Sequence, residues 1–183
     1  MNTTIIIILA VVLLIVLWLI GAQRKLVSSD EIVKNSLSQI GVQQNSRWDA
    51  LTALVELTKG YDEHEYKTLM DVIAQRTSVG RNATAADVQG NEEKMAQVVR
   101  GINVVAEQYP ALKANEMYAK TMDSVNTYEN QVRMSRMVYN DAVTKYNRLV
   151  RQFPDSIAAT IFRFTQKDYL EEPKGKTEMP SMR

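Results

Sequence analysis

The sequence contains no cysteine and a single histidine among its 183 residues. Without cysteine the chain has no disulfide, thiolate nucleophile or cysteine-based zinc site, and one histidine cannot build a multi-histidine metal centre. Lys and Arg number 22 against 21 Asp and Glu, so the basic excess typical of a nucleic-acid-binding surface is also missing. The composition therefore predicts no metal, no cofactor and no nucleic-acid partner.

Catalytic and phosphate-binding motifs are missing as well. His64-Glu65 begins like the His-Glu-x-x-His zinc motif, but Thr68 stands where the second histidine would be. No Gly-x-Ser-x-Gly turn occurs, and the seven glycines are scattered singly instead of forming a phosphate-binding loop. We therefore predict that the protein is not an enzyme, and we interpret His64 as a hydrogen-bonding residue at the start of a helix.

The first 22 residues contain no charged side chain. Ile5 to Ile20 is an unbroken apolar run, and with its uncharged neighbours it reaches about twenty residues, or about 30 Å of helix, which matches one bilayer core. The N-terminus lacks a basic region, and Ile20 stands where a signal-peptide cleavage site needs a small residue. These features predict a retained transmembrane anchor over residues 5–22.

The residues that flank the anchor predict its orientation. Trp18 suits the aromatic belt at a membrane surface, and Arg24 and Lys25 follow immediately, whereas residues 1–4 carry no basic side chain. By the positive-inside rule, the short N-terminus 1–4 lies outside and the rest of the chain lies in the cytoplasm. The lipid bilayer is therefore the first predicted partner.

After the anchor, apolar residues recur at steps of three and four, which predicts an all-α fold. The expected helices cover residues 24–59, about 62–79, about 92–108, 111–153 and a short stretch from 154. A loop is expected over 80–91. The two long helices should pack antiparallel, with the two or three shorter ones completing a helical bundle over 23–170. The tail 171–183 has two prolines near its ends and no apolar periodicity, which predicts disorder.

Charged residues interrupt the apolar stripes of the two long helices: Arg47 in the first, and Glu129 and Arg136 in the second. Because an unpaired buried ion is costly, we expect Arg47 to meet Glu129 and Arg136 to meet Asp49 or Asn140. We interpret these residues as a polar layer that fixes the register of the helices. A ligand-binding site between the helices is the alternative.

Two stretches of the sequence resemble the LemA family. The first contains Gln39-Ile40, Val42-Gln43, Arg47, Asp49, Leu54-Val55, Lys59-Gly60-Tyr61 and His64-Glu65. The second contains Tyr109-Pro110, Leu112-Lys113-Ala114-Asn115, Glu129-Asn130, Arg136, Tyr139-Asn140-Asp141-Ala142-Val143, Tyr146-Asn147 and Phe153-Pro154. The resemblance covers the chain from the anchor to about Phe164, with departures such as Gly41, where the family usually has Asp.

The resemblance implies a single-pass protein of the bacterial inner membrane with a short external N-terminus, an antiparallel helical bundle and no catalytic residues. We expect a scaffold that self-associates through its soluble helices, as a homo-oligomer, or docks unknown protein partners. A membrane-tethered sensor or ligand-binding regulator that uses the polar layer is the alternative. The last helix, with Ile157, Ile161 and Phe164 at helical spacing, caps the bundle, touches lipid through Ile161 and Phe162, or binds another subunit; capping is the leading expectation.

Overall fold

The computed structural model describes residues 3–171, and within that range it contains six helices and no strand. The helices are α1 (Thr3–Glu56), α2 (Glu63–Ala74), α3 (Ala85–Gln108), α4 (Pro110–Lys113), α5 (Glu116–Arg151) and α6 (Asp155–Ile161). The predicted all-α class with an apolar N-terminal helix is confirmed. Almost all of the tail predicted to be disordered, from residue 172 onward, lies outside the described residues, as do Met1 and Asn2.

The predicted anchor and the first bundle helix form one continuous helix, α1, of 54 residues. Its side chains from Thr3 to Leu17 are exposed, and α1 is long and apolar enough to cross a membrane. Gly21 lies inside the helix without interrupting it, because one glycine costs a helix only about 1 kcal/mol relative to alanine. From Ala22 onward, α1 buries one side of its surface in the bundle.

Helices α1 and α5 run antiparallel, as expected. Lys25 near the start of the bundle lies 2.6 Å from Asp155, which follows α5, whereas Arg47 further along α1 lies 2.9 Å from Glu129 in the middle of α5. Between these two ion pairs, apolar side chains of α1 and α5 form a core in the middle of the bundle, and a smaller core lies beside the end of the apolar run. In the middle, that core contains Val33, Leu37, Ile40, Val132, Tyr139, Val143 and Tyr146.

Helices α2, α3 and α4 pack around the half of the bundle that is furthest from the apolar run. The core there is centred on Trp48, which is fully buried, and includes Leu51, Leu54, Leu69, Met95, Val98, Ile102, Leu112 and Tyr118. Asp62 caps α2 by accepting a hydrogen bond of 3.0 Å from the backbone N–H of Glu65. Aspartate is a favoured N-cap residue, so the sequence already indicated that a helix begins after Asp62.

The connection between α2 and α3 differs from the prediction. Helix α2 ends at Ala74 instead of near Val79, and α3 begins at Ala85, so that residues 85–91 are helical and not part of a loop. The cause is a capping box: the Thr84 hydroxyl accepts from the backbone N–H of Asp87, while the Asp87 carboxylate accepts from the backbone N–H of Thr84 at 2.8 Å. Aspartate takes the position usually held by Glu or Gln, which made the box hard to recognise.

The long helix predicted over 111–153 is also divided in two. Helix α4 ends at Lys113, and α5 begins at Glu116. The Asn115 side chain caps α5 by accepting a hydrogen bond of 2.8 Å from the backbone N–H of Met117. The final helix α6 ends at Ile161, so Phe164 is not part of it. Residues 164–171 instead lie along α5 without regular secondary structure, and we call this segment the C-terminal strap.

Candidate functional site

A buried ionic cluster joins the three main helices of the bundle. The guanidinium of Arg47 on α1 is only 5% exposed, and its Nη1 and Nη2 lie 3.0 Å from Glu92 Oε2 and 2.9 Å from Glu129 Oε2. The structure thus brings together Arg47 and Glu129, the pair inferred from the sequence. Glu92 was missed because the start of α3 was placed seven residues too late, which left this carboxylate at a presumed helix end.

Amide side chains extend this cluster to the loop before α3. Gln44 Nε2 donates to Glu92 Oε1 at 2.7 Å and to the carbonyl of Val88 at 3.1 Å. Asn91 Nδ2 donates to Gln44 Oε1 at 3.2 Å and to the carbonyl of Thr77 at 2.7 Å, and Asn91 Oδ1 accepts from the Thr77 N–H at 2.9 Å. Through Gln44 and Arg47, one face of α1 is therefore bonded to α3, and Asn91 of α3 in turn holds the loop at Thr77.

The second predicted pairing is wrong. Arg136 meets neither Asp49 nor Asn140; it donates to the carbonyl of Glu171 in the C-terminal strap. Asp49 has a side chain that is 78% exposed and lies 3.7 Å from Arg76 on the outside of the bundle. Arg136 is buried as predicted, but its partner is a backbone carbonyl that no pattern of side chains can reveal.

Two asparagines of α5 hold the strap by its backbone. Asn140 Nδ2 donates to the carbonyl of Leu170 at 3.0 Å, and Asn140 Oδ1 accepts from the N–H of the same residue at 2.9 Å. Asn147 makes the same pair of bonds with Lys167, at 2.9 and 2.8 Å. Each asparagine side chain thus pairs with the N–H and the C=O of one strap residue, as the backbone of a neighbouring β-strand would. It satisfies two backbone groups that the strap would otherwise leave unpaired.

The tyrosine that precedes each asparagine binds the strap as well. Tyr139 donates to the carbonyl of Asp168 at 3.0 Å, and Tyr146 donates to the carbonyl of Thr165 at 2.9 Å. The two Tyr-Asn pairs are seven residues apart in α5, and the strap residues that they bind are three apart. Seven residues of helix and three residues of extended chain each advance by roughly 10 Å, so the two spacings match. The Tyr-Asn pairs at 139–140 and 146–147 are therefore a clamp of two equal units, and all six of these hydrogen bonds are to backbone atoms of the strap.

Electrostatic contacts of α1 strengthen the clamp at Tyr146. Burial, with a smaller contribution from the Asp30 carboxylate, raises the pKa of Tyr146 to about 12. Lys167 Nζ lies 3.0 Å from Asp30 Oδ1 and 5.8 Å from the Tyr146 ring centre. Burial opposes ionisation of Asp30, but hydrogen bonds from Lys34 and Lys167 outweigh it and hold the pKa of this carboxyl below its usual value.

The other residues of the family motifs have structural positions. Tyr61 packs with Tyr109 at a ring-centre distance of 5.8 Å, next to the turn at Gly60. His64 is exposed at the start of α2, where its carbonyl accepts from the Thr68 hydroxyl. Glu65 supplies the N–H that Asp62 caps, and Asp141 is exposed on α5. Among residues 3–171, no group of three or more His, Asp and Glu side chains is placed to hold a metal ion.

A cleft of about 350 Å³ lies between α1, the loop before α3 and the strap. Its charged lining residues are Lys34, Arg81, Lys167 and Asp168, and its apolar walls come from Val33, Leu37, Ala83, Ala85 and Tyr139. Lys34 and Lys167 are both paired with Asp30, and Arg81 is paired with Glu31. The cleft is separate from the Arg47 cluster, where the sequence placed a possible ligand site.

The fold and its polar arrays define a class of protein: an all-α bundle built on one long helix whose N-terminal part is apolar enough to cross a bilayer. The chain belongs to the LemA family, whose family model matches residues 36–183. It is 24% identical over 137 residues to Protein LemA of Metamycoplasma hominis, a match that covers 73% of this chain and 62% of that protein.

Two further relatives match a shorter part of the chain. They are the magnetosome proteins MamQ 1 and MamQ 2 of Paramagnetospirillum magneticum, each 32% identical over 74 residues, which is 40% of this chain and 27% of theirs. The chain therefore spans less than two thirds of the length of each of these curated relatives. The resemblance inferred from the two sequence motifs is confirmed by the family match.

Proposed function

We propose that this protein is a non-enzymatic, membrane-anchored helical scaffold of the bacterial inner membrane that self-associates or docks partner proteins. The observation that carries the proposal is the continuity of α1, which is exposed from Thr3 to Leu17, is apolar from Ile5 to Ile20, and contributes to the bundle core from Ala22 onward. A helix without a joint holds the bundle at a fixed distance from the membrane. In this proposal the Arg47 cluster sets the register of the helices, a role known for buried polar residues in helical assemblies.

The proposed orientation rests on charge. Arg24 and Lys25 follow the apolar run, and residues 1–4 carry no basic side chain, so the positive-inside rule places the bundle in the cytoplasm. Fusion of alkaline phosphatase, which is active only outside the cytoplasm, after Arg183 tests this directly. Inactive fusions are expected, and an active fusion would reverse the orientation.

An exposed apolar patch on α5 supports the docking part of the proposal. Met134, Met137 and Val138 are 67%, 64% and 53% exposed, and their spacing of three and four places them on one face of α5. Methionine adapts its shape to different partners, which suits a docking surface. We propose that a second copy of this chain covers this patch, because the Ile, Leu and Val residues of the apolar run lack the small-residue pattern that favours close packing of helices in membranes.

Light scattering of the full chain in detergent tests self-association. We expect an oligomer for the natural sequence and a shift towards the monomer for Met137→Lys, which places a charge in the patch. Asn126→Lys is the matched control, because Asn126 is exposed on the same face of α5 about three turns away. A monomeric natural protein, or equal dissociation of the two variants, would contradict self-association through this patch.

Crosslinking in cells followed by mass spectrometry tests docking of other proteins. Crosslinks from residues near Met137 to another protein are expected to disappear in Met137→Lys and to persist in Asn126→Lys. If all crosslinks from this face join two copies of this chain, self-association stands and the docking of other proteins is refuted.

A second candidate function is a sensor or ligand-binding regulator, and the cleft beside Lys34, Arg81 and Lys167 favours it. The cleft has apolar walls and three cationic side chains, each of them paired with Asp30 or Glu31, so a small amphipathic anion would bind there in competition with these carboxylates. Thermal stabilisation by small organic anions that is lost in Arg81→Ala would support this function. Stabilisation that instead depends on Arg47 or Glu129 would return the ligand site to the polar layer.

A further inference from the structure

Helix α6 packs beside the point where the apolar run of α1 ends. The contact consists of Ala158 and Ala159 of α6 against Ala22 and Leu26 of α1, with Trp18 and Leu19 at its edge. Lys25 Nζ adds an ion pair of 2.6 Å to the carboxylate of Asp155. Helix α6 therefore packs on the bundle through its two alanines, and not through Ile157 and Ile161, whose spacing had suggested capping.

The opposite side of α6 is apolar and exposed. Ile157 and Ile161 lie four residues apart in α6, so they share one face, and they are 46% and 56% exposed. Phe153, in the turn that precedes the helix, is 81% exposed. Phe162, just after the helix, is 43% exposed. A cluster of four large apolar side chains on the surface of one short element indicates a contact with another apolar phase.

The position of α6 along α1 indicates which phase that is. A bilayer core of about 30 Å takes up about twenty residues of helix, which places its boundary near Ala22 when the core begins near Thr3. The headgroup layer adds roughly 6 Å on each side, or about four residues, which reaches Leu26. Since α6 packs against these two residues, its exposed face lies at the depth of the lipid headgroups.

The charge at this end of the bundle agrees with that placement. Residues 18–29 and 144–163 together carry six basic side chains and one acidic one, although the whole chain has a net charge of only +1. The acidic side chain, Asp155, is paired with Lys25. The end of the bundle nearest the apolar run is thus strongly positive, which matches a surface of anionic lipids.

We propose that α6, together with Phe153 and Phe162, is a second membrane contact that lies in the headgroup region of an anionic bilayer beside the emerging α1. The inference rests on the proposed anchoring of α1. Apolar side chains enter the boundary between headgroups and acyl chains, while Arg24, Arg148, Arg151 and Arg163 face the phosphates, as in other interfacial helices. The bundle is then held at two points, and it cannot rotate freely about α1.

Quenching by lipid-borne nitroxides tests this contact on the full chain. Because the sequence has no cysteine, single cysteines can carry an environment-sensitive fluorophore at chosen positions in nanodiscs of phosphatidylglycerol and phosphatidylcholine. The test positions are Phe153→Cys and Ile161→Cys. Leu14→Cys in the apolar run is the control for anchoring, and Asn126→Cys on the outside of α5 is the control for a label in water.

We expect the labels at residues 153 and 161 to show blue-shifted emission and quenching by a nitroxide near the headgroups, and the label at Asn126→Cys to show neither. Quenching at residue 153 should weaken in discs of phosphatidylcholine alone; equal quenching would refute the role of the basic side chains.

If Leu14→Cys is quenched while both α6 labels behave like Asn126→Cys, the second contact is refuted and the anchor stands. Blue-shifted α6 labels without quenching would mean that a second copy covers this face, which also refutes the proposal. An unquenched Leu14→Cys would refute the anchor itself.

Discussion

Replacing Gly41 by alanine tests how closely the loop before α3 packs against α1. A Cβ atom at Gly41 would lie 1.8 Å from the carbonyl oxygen and 2.8 Å from the carbonyl carbon of Val79, although ordinary contacts begin near 3.4 Å. The obstacle is backbone, so it cannot turn aside as a flexible side chain would. Either the loop or α1 must move by more than 1 Å.

Opposing terms determine the size of the effect. Alanine is better than glycine inside a helix by about 1 kcal/mol. Against this, displacing the loop exposes part of Val79, which is 6% exposed and is worth about 1.5–3 kcal/mol when fully buried. It also strains the two hydrogen bonds between Asn91 and Thr77, at about 1 kcal/mol each. We expect a net loss of about 1–3 kcal/mol, because the two penalties exceed the helical gain.

Gly90→Ala is the matched control. Gly90 also lies inside a helix, α3, but nothing other than its chain neighbours and its own helix backbone lies within 4 Å of the position of its Cβ. It should therefore show the helical gain alone, as a stabilisation of up to about 1 kcal/mol. Thermal unfolding of the full chain in detergent, followed by circular dichroism, should show a lower midpoint for Gly41→Ala and a higher one for Gly90→Ala. If Gly41→Ala is as stable as Gly90→Ala, the close packing of the loop on α1 is refuted.

Three further predictions concern the buried polar groups. Arg47→Met should lower the free energy of unfolding by about 3 kcal/mol because it removes the buried guanidinium that binds both Glu92 and Glu129, whereas Glu129→Gln should cost clearly less; equal losses, or no loss with Glu129→Gln, would contradict the role of the layer. The double change Asn140→Ala and Asn147→Ala removes four hydrogen bonds at about 1 kcal/mol each, so trypsin should cut after residue 167 much faster than in the natural protein; an unchanged rate would show that the clamp does not hold the strap. Because the pKa of Tyr146 in the folded state, about 12, is above the unfolded value near 10, its contribution to stability is complete below about pH 10 and is lost as the pH rises towards the folded value. Alkaline denaturation of Tyr146→Phe should consequently depend less steeply on pH in that window, and an unchanged slope would refute this assignment.

The sequence contained enough to predict the helices and the central ion pair. Steps of three and four are a local property of the chain, and they persist over more than thirty residues in α5, which makes the helical period easy to detect. A charge such as Arg47 inside an apolar stripe must find an opposite charge across the interface, and Glu129 stood at the matching position. Both inferences follow from the burial of side chains.

The errors share a different cause, because they depend on backbone hydrogen bonds. The early start of α3 depends on the capping of backbone N–H groups by Thr84 and Asp87, and the break before α5 depends on Asn115. The strap was missed for the same reason, since Asn140 and Asn147 bind its main chain and place no demand on its side chains. The Tyr-Asn pairs did leave a trace in α5, at a spacing of seven, but this spacing also fits ordinary core packing.

The continuity of α1 makes the bundle a lever arm in the proposed membrane setting. From Ala22 to Glu56 the helix extends about 51 Å, and a transmembrane helix typically tilts by about 20°. Without a joint, that tilt moves the end of α1 sideways by roughly 17 Å. A local change of bilayer thickness that alters the tilt of α1 would therefore displace the core around Trp48 sideways, although that core lies far from the membrane surface.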